Sequence, residues 1–265
     1  MEILEYAFFR NALLASVLIS VACGIIGAYI VARRTVFISG GITHASFGGL
    51  GIGFWLGINP LASALVFAVL SSVGVEYISK SVNYRRIRED SVIAAVWSLG
   101  MATGVIFMFL SPGYAPNLSA YLFGSILTVS ETDILFMALL TSTVLVVYIM
   151  FRRLIVYTAF DRDYATTQGL PVRFIEYLMS ILIAATIVLS IRLVGIMLLL
   201  SLLTVPQMTA NMFTADYGKI TLSSCIIAFV GCVAGLFLSY YFAIPSGAFI
   251  VLTLLTIMLA AKAAR

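Results

Sequence analysis

Residues 11–32 read NALLASVLISVACGIIGAYIVA, an apolar run that ends at Arg33 and Arg34. A helix needs about 20 apolar residues to cross a bilayer, so this run is long enough to span one. Glu2 and Glu5 precede it, where a secretory signal would carry basic residues, and no small-residue cleavage site follows. The run is therefore predicted to be a retained membrane-spanning helix.

Apolar runs of similar length recur along the chain, at about residues 11–32, 37–57, 60–79, 91–110, 133–151, 174–191, 194–213, 220–241 and 245–261. Of the 265 residues, 62% are hydrophobic and 10% are charged, whereas an ordinary soluble domain is about one quarter charged. A water-soluble fold of this size could not bury so much apolar surface. We predict an all-α, polytopic transmembrane bundle of about nine spans that forms a single domain over residues 1–265.

The positive charges predict the orientation of the bundle. With nine spans and the amino terminus outside, thirteen of the fifteen Lys and Arg residues lie on one side, and only Arg10 and Arg192 lie opposite. Such an excess is typical of cytoplasmic connections, so the carboxyl terminus is predicted to be cytoplasmic. The net charge of +4 then reflects topology, and no nucleic-acid partner is expected. Glu76 and Glu176 lie near cytoplasmic span ends, where snorkelling or pairing with arginines explains them without a binding role.

His44 is the one histidine of the chain and lies inside the second apolar run. At helical spacing its face is shared by Gly40, Gly41, Gly48 and Gly51. An ionisable or metal-binding side chain within a span is costly, which makes His44 a candidate functional residue in an unusually bare strip. The alternative is that the glycines serve close helix packing and the histidine only a hydrogen bond.

A second polar stripe lies in the seventh apolar run. Thr204, Gln207 and Asn211 recur at intervals of three and four residues, which places them on one helical face. Pro206 lies beside them and lacks an amide hydrogen, so it is predicted to kink the span. A bent helix with inward-facing amides could line a transport pathway, and hydrogen bonding between helices is the open alternative.

The fifth and sixth runs are joined by a predicted cytoplasmic loop of about residues 152–173. Within it, Asp161 is placed to cap a short helix whose first turn carries Asp163. Gly169 and Pro171 supply a stop signal for that helix. A short capped helix between two spans has the form of a docking element, and a solvated turn is the alternative.

The sequence carries no motif for catalysis or nucleotide binding. HExxH, GxSxG and CxxC do not occur, and the near-match to a phosphate-binding loop at residues 74–81 has Ser79 in place of the second glycine. Cys23, Cys225 and Cys232 all lie inside apolar runs and are interpreted as packing thiols. The chain is therefore not expected to be an enzyme, and any ATP-driven work requires a second polypeptide.

Several short motifs occur together in the chain. The first is SGGITHA at 39–45, which follows Arg33 and Arg34. The others follow in order: YLFGSIL at 121–127, the loop segment 160–172, VGIMLL at 194–199 leading to PQMTA at 206–210, and IPSGAFIVL at 244–252. Together they are similar to the membrane permease of the metal-type ABC importers, the ABC-3 family, which takes up zinc, manganese or iron delivered by a binding protein. The pieces span nearly the whole chain in the family's order.

The resemblance implies a permease over residues 1–265 that works as a homodimer in a bacterial plasma (inner) membrane, with the ion path near the subunit interface. The implied partners are two cytoplasmic ABC ATPase subunits and an extracellular or periplasmic metal-binding protein. No stably bound cofactor is implied, because the divalent metal is cargo. The loop is implied to be the coupling helix that docks on the ATPase, through Asp161, Arg162, Asp163, Ala165, Gly169, Leu170 and Pro171.

His44 matches the family's histidine on the second span, which is commonly part of the metal path. The family often has an aspartate four residues earlier and an acidic residue before the PSGA motif, where this chain has Gly40 and Ala243. Manganese prefers such carboxylates, so their replacement favours zinc, which binds imidazole readily. The hydroxyl groups of Thr43 and Ser46 could complete the site, and the polar stripe of the seventh run could line the pathway.

Three other functions differ from this one in what they require of the sequence. An ABC permease for an iron chelate, haem or cobalamin would have a wide path that does not depend on His44. A secondary transporter would carry acidic residues in the centres of its spans, and these spans have almost none. An intramembrane enzyme would need a catalytic partner for the lone histidine.

Overall fold

The computed structural model describes residues 7–80, 89–111, 129–242 and 244–264, and all regular structure within them is helical. The helices are α1 Ala7–Ala32, α2 Val36–Leu56, α3 Pro60–Lys80, α4 Glu89–Leu110, α5 Glu131–Phe160, α6 Arg162–Thr167, α7 Val172–Leu202, α8 Val205–Asn211, α9 Tyr217–Phe242 and α10 Ser246–Ala263. The predicted all-α fold is confirmed. The motif at residues 121–127 and Ala243 lie outside the described residues.

Seven of these helices contain a segment long and apolar enough to cross a membrane, namely α1, α3, α4, α5, α7, α9 and α10. Helix α2, of comparable length at 21 residues, is not among them, and it carries six glycines and His44. The seventh predicted run, 194–213, is divided between the end of α7 and the short helix α8. The count of about nine spans and the orientation of the termini stay predictions.

One predicted boundary is wrong. Helix α5 bends at Phe151 (φ −110°, ψ 15°), where the predicted run 133–151 ends, but residues 152–160 continue as helix beyond the bend, so the loop of 152–173 begins later than predicted. The part of α5 before the bend has about 20 residues and rises about 30 Å, close to the thickness of the hydrocarbon core of a bilayer. The predicted separation of the runs 174–191 and 194–213 corresponds to an interruption of helical geometry inside α7 at Gly195, whose φ of 76° and ψ of 166° are disfavoured for residues with a side chain.

The prediction that Pro206 kinks a span is also wrong. Helix α7 ends at Leu202, and Pro206 lies in the first turn of the separate helix α8, with Thr204 at the N-cap position. A first-turn proline costs no hydrogen bond, because amides there have no intrahelical partner, and its fixed φ suits helix initiation. The proline therefore starts a helix here.

The contacts divide the chain into two compact units. The first contains α1, α5, α8, α9, α10 and the end of α7 from Ser190. In it α1 is buried along most of its length, and a methyl group at Gly24 would lie 2.9 Å from the Cα of Cys225 in α9. Cys23 and Cys232 are buried free thiols in this unit, as expected for packing residues.

The second unit contains α2, α3, α4, α6 and α7 up to Leu189. Helix α2 contacts both α3 and α4 at backbone distance. A methyl group at Gly49 would lie 2.6 Å from the Cα of Ala64 in α3, and one at Gly51 would lie 2.8 Å from the Cα of Gly104 in α4. The strip predicted to be bare beside His44 is therefore occupied by α4, and its glycines serve close packing.

Candidate metal path and coupling loop

His44 is a half-buried residue of α2 whose ring lies flat on the indole of Trp97 in α4. The ring centroids are 4.2 Å apart and the planes differ by 3°. The close approach of the two backbones explains the contact, because a methyl group at Gly100, one turn beyond Trp97, would lie 2.7 Å from the carbonyl oxygen of Ala45. Stacking engages the faces of the imidazole and leaves its edge, which carries both nitrogens, for a ligand.

Trp97 is the residue of this site that sequence reasoning missed. It is followed by Gly100 and Gly104 at intervals of three and four residues, a spacing that places all three on one face of α4. That face is the one that packs against α2, since Gly104 lies against Phe47. The glycine spacing could have marked the face, but only the structure pairs the indole with His44.

Thr43 and Ser46 flank His44 on α2 and are fully buried. The Thr43 hydroxyl donates to the carbonyl oxygen of Ser39 at 2.5 Å, and the Ser46 hydroxyl donates to that of Thr43 at 2.6 Å. Both hydroxyl protons are therefore engaged with the backbone of their own helix. Of the three proposed ligands on α2, His44 alone is partly exposed.

Within the described residues there is no group of three or more His, Cys, Asp and Glu side chains placed to hold a metal ion. Imidazole nitrogen is a ligand that zinc and other borderline transition metals accept.

Gln207, on α8 of the first unit, is a fully buried side chain that joins two helices. Its Nε2 donates to the carbonyl oxygen of Cys23 in α1 at 2.9 Å and to that of Leu202 at 3.3 Å. The Leu202 carbonyl lies four residues before Pro206, which has no amide hydrogen to donate to it. The amide hydrogens of Gln207 therefore join helices, as in the packing alternative, while its Oε1 is buried with no hydrogen-bond partner among the described residues.

The other two members of the stripe have different surroundings. Asn211 is exposed and, together with Gln207, lines a cavity of about 450 Å³ in the first unit. Phe160 and Tyr217 also line this cavity. Thr204 is half-buried, and its hydroxyl donates to the carbonyl oxygen of Leu200 at 2.8 Å.

The predicted short helix in the loop after α5 is confirmed as α6, Arg162–Thr167. The Asp161 carboxylate caps it by accepting from the Tyr164 amide at 2.9 Å. At the other end Gly169 has a φ of 71°, and the Leu170 amide donates to the Ala165 carbonyl at 3.1 Å. The capped helix is therefore a defined structural element.

The loop residues proposed for docking differ in exposure. Ala165 is fully buried and anchors α6 in the second unit. The outward positions are exposed or half-exposed, and they are Asp161, Arg162, Asp163, Gly169, Leu170 and Pro171. A cavity of about 510 Å³ lies along this loop, lined in part by Arg162 and Pro171. The loop thus presents mixed polar and apolar contacts to its surroundings.

Comparison with known proteins gives consistent matches over nearly the whole chain. Residues 5–265 match the ABC 3 transport family. The chain is 38% identical over 251 residues to the uncharacterized membrane protein slr2045 of Synechocystis sp., covering 95% of this chain and 88% of that protein. It is 30% identical over 256 residues to the manganese transport system membrane protein MntC of Halalkalibacterium halodurans, covering 97% and 87%.

A solved structure matches as well. The structure of PsaBC from Streptococcus pneumoniae in complex with Fab superimposes with a TM-score of 0.86 and 28% sequence identity. The match covers 98% of this chain and 92% of that chain. Fold and sequence comparisons therefore agree over the full length of the chain.

Proposed function

Because the chain belongs to the ABC 3 transport family over residues 5–265, we propose that it is the permease of an ATP-driven importer of a divalent metal ion, with zinc preferred over manganese or iron. It is a multi-pass membrane protein, and in this family ATP hydrolysis is carried out by a separate ATPase. The proposed assembly is a homodimer with cytoplasmic ATPase subunits and an external metal-binding protein.

The observation that carries the metal proposal is the half-buried imidazole of His44, held flat against Trp97 by a contact that uses the ring face and not the nitrogens. Placing an imidazole in a membrane helix costs free energy, so its presence there indicates a functional role. A single nitrogen ligand suits a transport path, because the ion must be released as readily as it is bound. The name of the Halalkalibacterium relative, a manganese transport protein, supports a divalent metal as the cargo.

The preference for zinc rests on ligand chemistry. Manganese is bound best by carboxylate, carbonyl and water oxygens, whereas zinc accepts imidazole readily. This chain has Gly40 one turn before His44 and Ala243 before the PSGA motif, so neither position supplies a carboxylate. Thr43 and Ser46 could contribute hydroxyl oxygens only after a rearrangement, because both are fully buried.

The proposed transport cycle begins when the external protein delivers the ion to the path near His44. ATP binding by the ATPase then moves α6, and the permease changes from outward-open to inward-open. The loop from Asp161 to Pro171 is the proposed docking element, supported by its capped geometry and its exposed outer positions. Release follows because one imidazole and water hold the ion weakly.

A transport assay tests the cargo. The chain is reconstituted in liposomes with its ATPase and binding protein, and ATP-dependent uptake of radioactive zinc, manganese and iron is measured separately and in competition. We expect zinc uptake to exceed manganese uptake by about tenfold at equal concentration. Uptake of manganese alone would overturn the zinc preference, but it would still support the proposal that the chain is a permease for divalent metal ions. A complex that hydrolyses ATP and moves none of the ions would point to a chelate, haem or cobalamin.

A further inference from the structure

Two acidic side chains are almost fully buried in membrane helices of the second unit. Glu76 on α3 and Glu176 on α7 are each 1% exposed, so they do not extend to the membrane surface as snorkelling would require. A buried carboxylate is costly unless it is paired and hydrogen-bonded. Their positions therefore depend on the groups that they contact.

Glu176 joins the loop helix α6 to the membrane helix α7. The Arg162 guanidinium donates from Nε to Glu176 Oε1 at 2.9 Å, and Arg162 is 45% exposed on α6. The Glu176 carboxylate is inside the unit, whereas the Arg162 side chain is partly exposed at the loop surface. A charge-assisted hydrogen bond to a buried acceptor has a fixed geometry and is stronger than a neutral one. A displacement of α6 is thereby passed to α7.

The next turn of α7 is joined to α3. Ser180 lies four residues after Glu176, on the same helical face. Its hydroxyl donates to Glu76 Oε2 at 3.4 Å, and its carbonyl oxygen accepts from the Ser72 hydroxyl at 2.9 Å. Two contacts one turn apart on α3 restrain sliding between α3 and α7 more than a single contact would.

Helix α3 in turn packs directly against the helix that carries His44. A methyl group at Gly53 would lie 2.7 Å from the Cα of Pro60, and one at Gly49 would lie 2.6 Å from the Cα of Ala64. Packing at backbone distance leaves no intervening side chain that could absorb a shift. Motion of α3 is therefore transmitted to α2.

We propose that Arg162, Glu176, Ser180, Glu76 and Ser72 form a polar ladder that transmits movement of the ATPase-facing helix α6 through α7 and α3 to the His44 helix. In this ladder Glu176 and Glu76 are positioning residues, and neither contacts the ion. The proposal rests on the proposed function for the identity of the partner that moves α6. Its consequence is that binding events outside and ATP turnover inside are coupled through Glu176.

The test measures how far the external binding protein stimulates ATP hydrolysis by the reconstituted complex. Glu176→Gln keeps the shape of the side chain and removes its charge, and Arg162→Gln removes the other partner. We expect Glu176→Gln to assemble and to keep its unstimulated ATPase rate. For each variant the stimulated rate, divided by that variant's own unstimulated rate, should fall about fivefold or more. The double variant R162Q/E176Q should be no worse than either single variant, because the two groups act as one pair. Glu176→Asp should restore part of the stimulation.

Arg173→Gln is the matched control, since Arg173 is an exposed basic residue in the first turn of α7, next to the loop. It should leave stimulation unchanged. Additive losses in R162Q/E176Q, equal losses in the control, or a wild type that does not respond to the binding protein would each overturn the ladder. Stimulation can be measured without any metal uptake, so failure of the metal proposal and failure of the ladder are distinguishable.

Discussion

Gln207 and His44 are both polar side chains in apolar helices, and their surroundings differ. Gln207 is fully buried and donates its amide to the Cys23 and Leu202 carbonyls. His44 is half-buried and contacts Trp97 through the face of its ring, so this contact does not engage its nitrogens. The comparison teaches that polarity in a span does not identify a site. The amide hydrogens of Gln207 hold helices together, although its Oε1 accepts no hydrogen bond from the described residues, whereas the ring contact of His44 does not engage its nitrogens.

The glycine contacts that place His44 are expected to be the most sensitive part of the comparison. Gly49→Ala would put a methyl group 2.6 Å from both the Ala64 Cα and the Ser63 carbonyl oxygen. We expect it to destabilise the purified protein by about 1–3 kcal/mol, the range found for overpacking. Gly74→Ala in α3 is the control, because a methyl group there meets nothing within 4 Å. Thermal unfolding in detergent measures both, and an equal response would contradict the packing account.

Gln207→Leu is expected to have the next largest effect, on stability and not on transport. The change leaves the Cys23 and Leu202 carbonyls without the amide donor, which costs about 1–3 kcal/mol for buried groups. Uptake per folded complex should stay within about twofold of wild type, since the side chain acts in packing. Asn211→Leu, at an exposed position of the same stripe, should leave the unfolding temperature nearly unchanged. A large loss of uptake by the folded Gln207→Leu variant would indicate that Gln207 lines the transport pathway.

Trp97→Ala is expected to have a moderate effect on transport. It removes the surface that orients the imidazole, and a stacked aromatic pair contributes about 0.5–1.5 kcal/mol, equivalent to a rise in KM of about two- to tenfold. Trp55→Ala is a close control, because Trp55 is the other tryptophan of the chain and lies against Phe107 in the same unit. Zinc uptake over a concentration series separates the two. Equal KM values for both variants would show that stacking on Trp97 does not position His44.

The smallest expected effect concerns a loop outside the membrane helices. The Lys219 amide donates to Asp216 Oδ1 at 2.9 Å and holds the pKa of the carboxyl below its ordinary value. A pKa that is lowered on folding contributes stability at pH above about 3.9, and this contribution is lost as pH falls through the folded pKa. Asp216→Asn should therefore lower the unfolding temperature slightly at neutral pH and not at acid pH. A difference that persists in acid would contradict the cap.

How much the sequence could predict depends on the range of the interactions involved. The Asp161 cap and the Gly169 stop were predictable because donor and acceptor lie within a few residues of each other. The all-α membrane fold followed from composition. The role of Pro206 was not predictable, because a proline kinks a helix or starts one according to where the preceding helix ends.

The parts of the site that sequence reasoning missed depend on distant residues. Trp97 lies 53 positions after His44, and a single sequence does not show which faces of two helices meet. For the same reason the glycines beside His44 could be interpreted as an open strip, although α4 fills it. Glu176 was predicted either to snorkel or to pair with an arginine, and its position inside the unit and its link to α6 required the structure.

The most direct test of the central claim compares wild type with His44→Ala in the reconstituted transporter, measuring zinc uptake and ATP hydrolysis in the same vesicles. The account predicts that the variant assembles and hydrolyses ATP at the wild-type rate while zinc uptake falls at least about tenfold. Unchanged zinc uptake by the variant would contradict a histidine-lined metal path.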